Sequence, residues 1–229
     1  MRKLLHNFLN LFFPPLCIVC HSRLAEGEEH ICTECLLLLP KTNFHLQEDN
    51  RIEQFFAGRI PFGRVSAYAY FVKGGSMQSV VHELKYRYNP QLGRYLGRLC
   101  GENIKGSDFV RGIDLLVPVP LHPKRERQRG YNQSMEICKG ISAVTGIPID
   151  DTTLRRVVNN QSQTKNSRFD RWKNVEDIFS LADAEAFAGK HILLVDDVIT
   201  TGSTIESCAK EILKSADSRI SIYALATAN

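Results

Sequence analysis

One stretch near the C-terminal end, HILLVDDVITTGST at residues 191–204, constrains the fold of this chain more than any other. Its aliphatic run, residues 192–195, predicts a short buried strand. Two carboxylates, Asp196 and Asp197, follow directly, and a polar loop at residues 200–204 then leads into an amphipathic helical pattern. In open α/β sheets, turns of this strand–loop–helix kind lie at the carboxyl edge, where ligands bind. The stretch therefore predicts a ligand site built on a parallel sheet.

The chemistry of the loop favours a phosphate group. The start of a helix offers unpaired backbone N–H groups and the positive end of the helix dipole, and Gly202 lets the backbone approach closely. The chain carries neither G-x-x-x-x-G-K-[ST] nor G-x-G-x-x-G, so a Walker A loop and a dinucleotide site are both disfavoured. Because carboxylates would repel a phosphate, we expect Asp196 and Asp197 to face sugar hydroxyls, with Mg²⁺ relieving the remaining charge. These residues together predict a site for a sugar 5-phosphate.

Four cysteines near the N-terminus predict a metal site. They form two C-x-x-C pairs, Cys17 with Cys20 and Cys32 with Cys35. Two such pairs can present four thiolates to one tetrahedral Zn²⁺ ion, and a full Cys₄ shell is typical of a structural site. His21 and His30 lie close in sequence and are alternative ligands. A redox C-x-x-C needs no second pair, and disulfides would require an oxidising compartment, for which the sequence carries no signal. The remaining cysteines lie in apolar helical patterns and are expected to be buried: Cys100, Cys138 and Cys208.

A cluster of positive charge follows another predicted buried strand. Residues 114–120, DLLVPVP, form a continuous apolar run, as in a strand covered on both faces. The next residues, LHPKRERQRGYNQ at 121–133, predict a basic loop that leads into a helix. A short basic run alone is usually a solvated turn, but at the carboxyl edge of a sheet it can hold an anion. Residues 159–177 are polar and basic without apolar periodicity, which is typical of a functional lid or a disordered loop.

The rest of the chain predicts two units. Strand and helix patterns alternate through the C-terminal half, which favours βαβ units and a parallel sheet. Residues 41–59 predict a linker with some helical content at residues 53–57, so we expect a module at residues 1–42 and an α/β domain at residues 43–229. Residues 1–15 predict an amphipathic helix, with membrane-surface association as the alternative. No apolar run approaches the roughly 18 residues of a membrane span, and the net charge of +4 is far below that of a dedicated DNA-binding domain.

The segment VDDVITTGST, residues 195–204, resembles the loop that binds phosphoribosyl diphosphate (PRPP) in type I phosphoribosyltransferases. More narrowly, the chain resembles the ComF/GntX family of competence-associated, phosphoribosyltransferase-like proteins. The paired C-x-x-C motifs, the LHPKRERQRGYNQ stretch and the PRPP loop occur in the family's order and cover nearly the whole chain. The resemblance implies an α/β fold, with a five-stranded parallel sheet flanked by helices, a hood, and a small Cys₄ zinc-finger module in front.

The resemblance also implies roles for individual residues. Asp196 and Asp197 are the implied catalytic pair and would contact the ribose hydroxyls of PRPP, which binds with Mg²⁺. Residues 121–123 would form the diphosphate loop, and residues 159–173 the mobile loop that closes over PRPP. The implied PRPP-binding residues are the acidic pair together with Val198, Thr200, Thr201, Gly202, Ser203, Thr204, His122, Arg125 and Arg129.

Two functional hypotheses of different classes follow. In the first, the protein binds PRPP and acts in natural competence, handling incoming single-stranded DNA in the cytoplasm, at the inner face of the membrane but without integral insertion. Its expected partners are then PRPP, single-stranded DNA and the helicase or channel proteins of the DNA-uptake machinery. In the second, the protein is an active phosphoribosyltransferase of nucleotide metabolism whose acceptor is unidentified.

Overall fold

A parallel sheet forms the centre of the protein. The computed structural model describes residues 14–157 and 178–228. Within them four parallel strands pair in the order β1–β6–β5–β2. These strands are β1 (Val65–Tyr70), β2 (Leu115–Pro118), β5 (His191–Ile199) and β6 (Arg219–Thr227). Two further strands, β3 (Leu154–Arg156) and β4 (Phe179–Leu181), form a separate antiparallel pair. The α/β class and the parallel sheet predicted from the sequence are confirmed.

Helices cover both faces of this sheet. They are α1 (Thr33–Leu37), α2 (Arg51–Phe56), α3 (Ser76–Tyr86), α4 (Pro90–Ile104), α5 (Pro123–Arg129), α6 (Gln133–Thr145) and α7 (Ser203–Ile212). Alternate residues of β5 serve the two faces, as a strand requires. Leu193 and Val195 join the core under α3, α4 and α6, whereas Ile192 and Leu194 join the core under α2 and α7.

Helices α4 and α6 cross closely, and α6 begins beside the end of β2. A Cβ atom on Gly97 would collide with the Ile137 carbonyl oxygen, and one on Gly140 would collide with the Arg94 carbonyl oxygen. The two helices therefore touch through their backbones, which only residues without a side chain permit. The cap residue of α6, Asn132, donates its side-chain amide to the carbonyl of Val119 at 3.0 Å. This contact fixes the start of α6 beside the end of β2.

The fifth strand implied by the resemblance is wrong for the described residues. Ile149 makes a single parallel bridge to Leu116, through hydrogen bonds of Pro148 and Asp150 with the Leu116 backbone. Pro148 has no N–H to donate, and the Asp150 carboxylate accepts the amides of Thr152 and Thr153 at 2.9 Å. This local turn ends the pairing at once, because an aspartate that caps a turn competes with the ladder.

Residues 41–59, predicted as a linker, instead pack against the sheet. Phe44, Ile52 and Phe56 are buried in the core that contains α7. Asn50 caps the N-terminus of α2 in a capping box, and its side-chain amide donates to the Val65 carbonyl at 2.9 Å. A short 3₁₀ turn and a short helix follow each other here, so no long period marks the burial in the sequence. The division into residues 1–42 and 43–229 stays a prediction.

Three sequence predictions fall on residues outside the described part of the chain. The helix predicted for residues 1–15 lies outside it except for Pro14 and Pro15, and the loop predicted at 159–173, which contains Trp172, lies wholly outside it. The three cysteines predicted to be buried are confirmed as fully buried: Cys100, Cys138 and Cys208.

Candidate functional site

Strand β5 carries both aspartates to the edge of the sheet. The strand was predicted over residues 192–195, but it continues to Ile199 because β6 pairs with it along its whole length. Strand β2 leaves the ladder earlier, where its last pair joins Pro118 to Val195. Asp196 and Asp197 therefore lie on a strand that is held on one side and open on the other, and a cleft begins at that point.

Each carboxylate of the pair has a partner within the protein. The Ser134 hydroxyl donates to Asp196 Oδ1 at 3.2 Å, and the backbone N–H of Asp197 donates to the same oxygen at 2.8 Å. Asp197 Oδ2 lies 3.1 Å from the Lys85 ammonium. Burial, followed by the neighbouring charge of Asp197, raises the pKa of Asp196 to about 7. A carboxyl group whose pKa lies near 7 and that adjoins an ion pair is typical of a functional site.

The acidic pair opens into a cavity of about 390 Å³. Its wall combines cations, hydroxyls and the two carboxylates, with an apolar rim formed in part by Phe71, Val81 and Val119. The polar lining residues are Lys85, Arg125, Arg129, Asn132, Gln133, Ser134, Arg156, Asp196, Asp197, Thr200 and Thr204. One concave space thus brings the acidic pair, the start of α7 and the basic stretch after β2 together.

The basic stretch after β2 is a helix rather than the predicted loop. His122 caps α5 by accepting the Lys124 amide on Nδ1 at 3.2 Å, and Pro123 occupies the first helical position, where its missing N–H costs nothing. The i, i+4 spacing places Arg125 and Arg129 on one face, and both are half-buried and line the cavity. His122 serves as this cap, while the guanidinium groups reach the site.

The loop between β5 and α7 faces the same cavity. Thr200, Thr204 and Val198 line it, and the Thr201 and Ser203 hydroxyls lie 3.1 Å apart. Gly202 caps α7 with φ +72°, and a Cβ there would lie 2.8 Å from the Phe56 ring. Glycine is therefore required by a left-handed turn and by close packing on α2, which is a different reason from the close approach to phosphate expected from the sequence.

The four N-terminal cysteines come together. Their Sγ atoms all lie within 4.8 Å of one another, as the two C-x-x-C motifs predict. Backbone N–H groups of Val19 and Cys32 point at the Cys17 sulfur at 3.5 and 3.4 Å. Hydrogen bonds with Ser22 lower the pKa of the Cys20 thiol to about 6, whereas burial and the neighbouring cysteines raise the pKa of Cys35. The thiolate is the form that ligates a metal. The cluster can hold a metal ion.

The two histidines near the cluster take other positions. The His30 ring packs edge-on against Tyr95, with ring centroids 5.4 Å apart. His21 follows Cys20 in the left-handed conformation, φ +60°, and lines a separate cavity near α3. Among the described residues, the four thiols are the group whose ligand atoms converge.

No helix in the described ranges is both long and apolar enough to cross a membrane.

Comparisons with known proteins decide the family. The phosphoribosyl transferase domain family matches residues 132–229. Competence protein F of Haemophilus influenzae is 31% identical over 65% of this chain and 67% of its own length. The chain belongs to the ComF family. DNA utilization protein YhgH of Escherichia coli O157:H7 is a further relative, 27% identical over 92% of this chain and 89% of its own length. Competence protein ComFC of Bacillus subtilis (strain 168) is 33% identical over 44% of this chain and 38% of its own.

Among solved structures, the glutamine PRPP amidotransferase from B. subtilis aligns with this ComF-family chain at a TM-score of 0.44. It is 17% identical over 63% of this chain and 30% of its own. That likeness is too remote to bear on the site.

The cavity of this ComF-family protein also contains residues that the sequence pattern missed. The predicted site residues do not include Ser134, Arg156 or Lys85. The Arg156 guanidinium lies 5.3 Å from the Phe179 ring, and burial, followed by the charge of Arg125, lowers its pKa. Lys85 lies in a helical pattern beside other polar residues, His82 and Arg87. No local signal separates these residues from structural ones.

Arg59 is another residue that the sequence analysis did not predict. It lies outside the cavity and contacts the loop at residues 200–204. Its Nε lies 2.6 Å from Glu206 Oε1 on α7, and its Nη2 donates to the Thr201 carbonyl at 2.8 Å. The guanidinium also stacks 4.4 Å from the Phe55 ring. A planar fork that holds a helix and a loop carbonyl at once limits the movement of both. In this ComF-family protein Arg59 is therefore a positioning residue for the loop at residues 200–204.

Proposed function

We propose that this ComF-family protein binds PRPP with Mg²⁺ in the cavity between β5 and α5, and that it acts in natural competence on incoming DNA. The observation that carries the proposal is the convergence of three ligand-matched groups on one cavity. Hydroxyls and amides at the start of α7 suit a 5-phosphate, the acidic pair suits a ribose diol, and the guanidinium groups of α5 suit a diphosphate. PRPP carries all three chemical groups on one sugar.

Each set of residues has a defined task in this proposal. Asp196 and Asp197 accept hydrogen bonds from the ribose hydroxyls, and their carboxylate oxygens are suitable ligands for a Mg²⁺ ion. The ion supplies positive charge that neutralises the diphosphate. Arg125 and Arg129 hold the diphosphate end, and Lys85, which lines the same cavity, offsets the charge of Asp197 until the ligand arrives.

The cellular role is proposed from the relatives. Their names are competence protein and DNA utilization protein, and the mild net charge of +4 suits partners that carry phosphates. We place the protein in the cytoplasm, near the inner face of the membrane, in contact with the helicase or channel proteins of DNA uptake. We assign zinc to the cysteine cluster, because four convergent thiolates are its usual structural ligands.

A direct binding experiment tests the proposal. Isothermal titration of the full-length, zinc-loaded protein with PRPP should give saturable binding that needs Mg²⁺. Ribose 5-phosphate and inorganic diphosphate, titrated separately, should each bind more weakly than PRPP, because each fills only part of the cavity. Absence of PRPP binding in the presence of Mg²⁺ would remove the proposal. A parallel assay of diphosphate release with bases, nucleosides and single-stranded DNA tells a binding protein from an active transferase.

The affinity for PRPP and Mg²⁺ should rise between pH 6 and pH 8. An unfolded aspartate ionises near pH 4, whereas the pKa of Asp196 is raised to about 7. Protons therefore compete with Mg²⁺ and the ribose hydroxyls for this carboxylate until the pH passes about 7. By the same linkage, this group lowers the stability of the ligand-free protein as the pH rises from about 4 to about 7.

Titration calorimetry at several pH values measures this effect. The phosphates of PRPP also titrate in this range, so the control is the Asp196→Asn variant. The change of its PRPP affinity with pH reports the titration of the ligand alone. Equal slopes in the two proteins would contradict the assignment of the pH effect to Asp196.

The Arg59→Gln variant should weaken binding of PRPP and ribose 5-phosphate about 10-fold, because the loop loses a charged hydrogen bond that is typically worth about 1.5–3 kcal/mol. Affinity for inorganic diphosphate should stay within about two-fold, since α5 is untouched. A control that removes an exposed guanidinium elsewhere is Arg111→Gln. If ribose 5-phosphate binds the Arg59 variant as it binds the wild type, Arg59 does not position the loop.

A further inference from the structure

A second cavity, of about 460 Å³, adjoins the site on the side of α5. It is lined by Lys85, Tyr86, Tyr88, Arg125, Gln128 and Arg129. Three of these residues, Lys85, Arg125 and Arg129, also line the first cavity. The two spaces therefore share one wall of cations, and a ligand in the second meets the groups that we assign to the diphosphate.

The outer wall of this second cavity is aromatic. Tyr86 and Tyr88 are 61% and 63% exposed, and they are the aromatic members among the large hydrophobic side chains exposed in the described residues. An aromatic side chain needed for the core would be covered, so their exposure beside three cations requires another explanation. Large exposed aromatic surface next to positive charge is typical of a binding site.

Both rings are held in place rather than free. The Tyr88 hydroxyl donates to the Gln128 carbonyl on α5, and the residue takes the left-handed conformation, φ +49°. Such a conformation is disfavoured for a residue with a side chain and persists only where the surrounding contacts hold it. The Tyr86 ring centroid lies 4.9 Å from that of His82 and 5.9 Å from the central guanidinium carbon of Arg129. Contacts within the protein therefore hold this wall in place.

This combination matches one ligand chemistry. Bases stack on aromatic faces and on guanidinium planes, while cations track the phosphates between them. Two further cations of the same helix, Lys124 and Arg127, are exposed. A helix with four cations carries more positive charge than one phosphate requires, which favours a strand over a free nucleotide.

We propose that the tyrosine-lined cavity binds single-stranded nucleic acid, with bases stacked on Tyr86 and Tyr88 and a phosphate at Arg125 and Arg129. Because the same cations face the first cavity, nucleic acid and PRPP compete for them. The competition rests on the proposed PRPP site, whereas the stacking platform does not. By linkage, each ligand weakens the other by the same factor.

Fluorescence polarisation with a labelled oligothymidylate tests the platform on the full-length, zinc-loaded protein. The double variant Tyr86→Ala, Tyr88→Ala should weaken oligonucleotide binding at least about 10-fold, since it removes the rings on which the bases stack. Its affinity for PRPP should stay within about two-fold of the wild type. The matched pair Tyr86→Phe, Tyr88→Phe keeps the rings and should restore most of the oligonucleotide affinity.

Other arms of the experiment identify the ligand. Oligouridylate in place of oligothymidylate shows whether the strand is RNA or DNA, and binding of either supports the site. Thymidine monophosphate that binds as tightly as the oligomer would overturn the assignment to a strand. So would an alanine double variant that binds the oligomer like the wild type. Oligonucleotide binding should weaken with salt. The double variant Arg125→Gln, Arg129→Gln should reduce the slope of log affinity against log salt concentration by about 1–2, whereas Arg111→Gln should leave that slope unchanged.

Competition is measured by adding saturating PRPP and Mg²⁺. The apparent Kd of the oligonucleotide should rise at least about 10-fold, and unchanged binding in a protein that does bind PRPP would overturn the shared wall of cations. If PRPP does not bind at all, the proposed function fails, and dependence of oligonucleotide binding on the two tyrosine rings still decides the platform.

Discussion

Replacing Asp196 and Asp197 together by asparagine is expected to weaken the binding of PRPP with Mg²⁺ at least about 100-fold. Hydrogen bonds to a charged group are typically worth about 1.5–3 kcal/mol each, and each 1.4 kcal/mol is a factor of ten in affinity. The variant also loses the charge that attracts Mg²⁺, since amides are weaker ligands than carboxylates for this ion. Thermal shift and calorimetry with PRPP and Mg²⁺ measure the loss.

The variant should remain folded, which separates this result from general damage. Burial and the neighbouring charge disfavour ionised Asp196, as its raised pKa records, so asparagine removes a cost to stability above about pH 7. Lys85 loses its partner but stays 22% exposed and can turn to water. We therefore expect a ligand-free Tm at pH 8 that is equal to or above that of the wild type. Residues of functional sites commonly lower the stability of the folded protein in exchange for function.

A matched control removes two exposed carboxylates, with Asp108→Asn and Asp217→Asn. Asp108 is 76% exposed, and Asp217 is exposed in the left-handed conformation that asparagine tolerates. This control should bind PRPP like the wild type. If the Asp196 and Asp197 variant keeps its stabilisation by PRPP, the acidic pair has another task and the proposed site is wrong.

Removing the metal ion from the cysteine cluster is expected to unfold the N-terminal module and to destabilise the body of the protein. Structural zinc contributes on the order of 10 kcal/mol to small modules at neutral pH. The effect should spread, because Cys17, Ile31 and Leu39 belong to the same hydrophobic core as α3 and α4. Lys85 on α3 would then lose its position beside Asp197, so PRPP affinity should fall as well.

Two measurements check this prediction. Metal analysis should find one zinc ion per chain in the wild type and little in the Cys20→Ser, Cys32→Ser variant, and a strong chelator should lower the Tm of the wild type by more than about 10 °C. The control is Cys208→Ala, a fully buried thiol outside the cluster, which should keep the zinc ion. A wild-type Tm that is insensitive to chelation would show that the cluster is not a structural metal site.

Local pattern in the sequence was enough for much of this protein. The acidic pair at the end of a strand, the loop that opens a helix, and the two C-x-x-C turns all depend on residues within a few positions of one another. Their geometry follows from the period of a strand, the start of a helix and the reach of a thiolate. Short-range rules of this kind act in any fold, so the alternating α/β pattern and the convergence of the four cysteines were predictable.

Long-range contacts required the tertiary structure. Arg59 reaches the Thr201 carbonyl across 142 residues of chain, Ser134 reaches Asp196 across 62, and Lys85 pairs with Asp197 from a different helix. The strand order and the close crossing of α4 and α6 decide which of many exposed polar residues meet, and a single sequence does not encode that choice locally. The stretch at residues 191–204 by itself predicted phosphosugar chemistry. The folded chain decided which cations complete the site, because charges act through distance in space rather than along the chain.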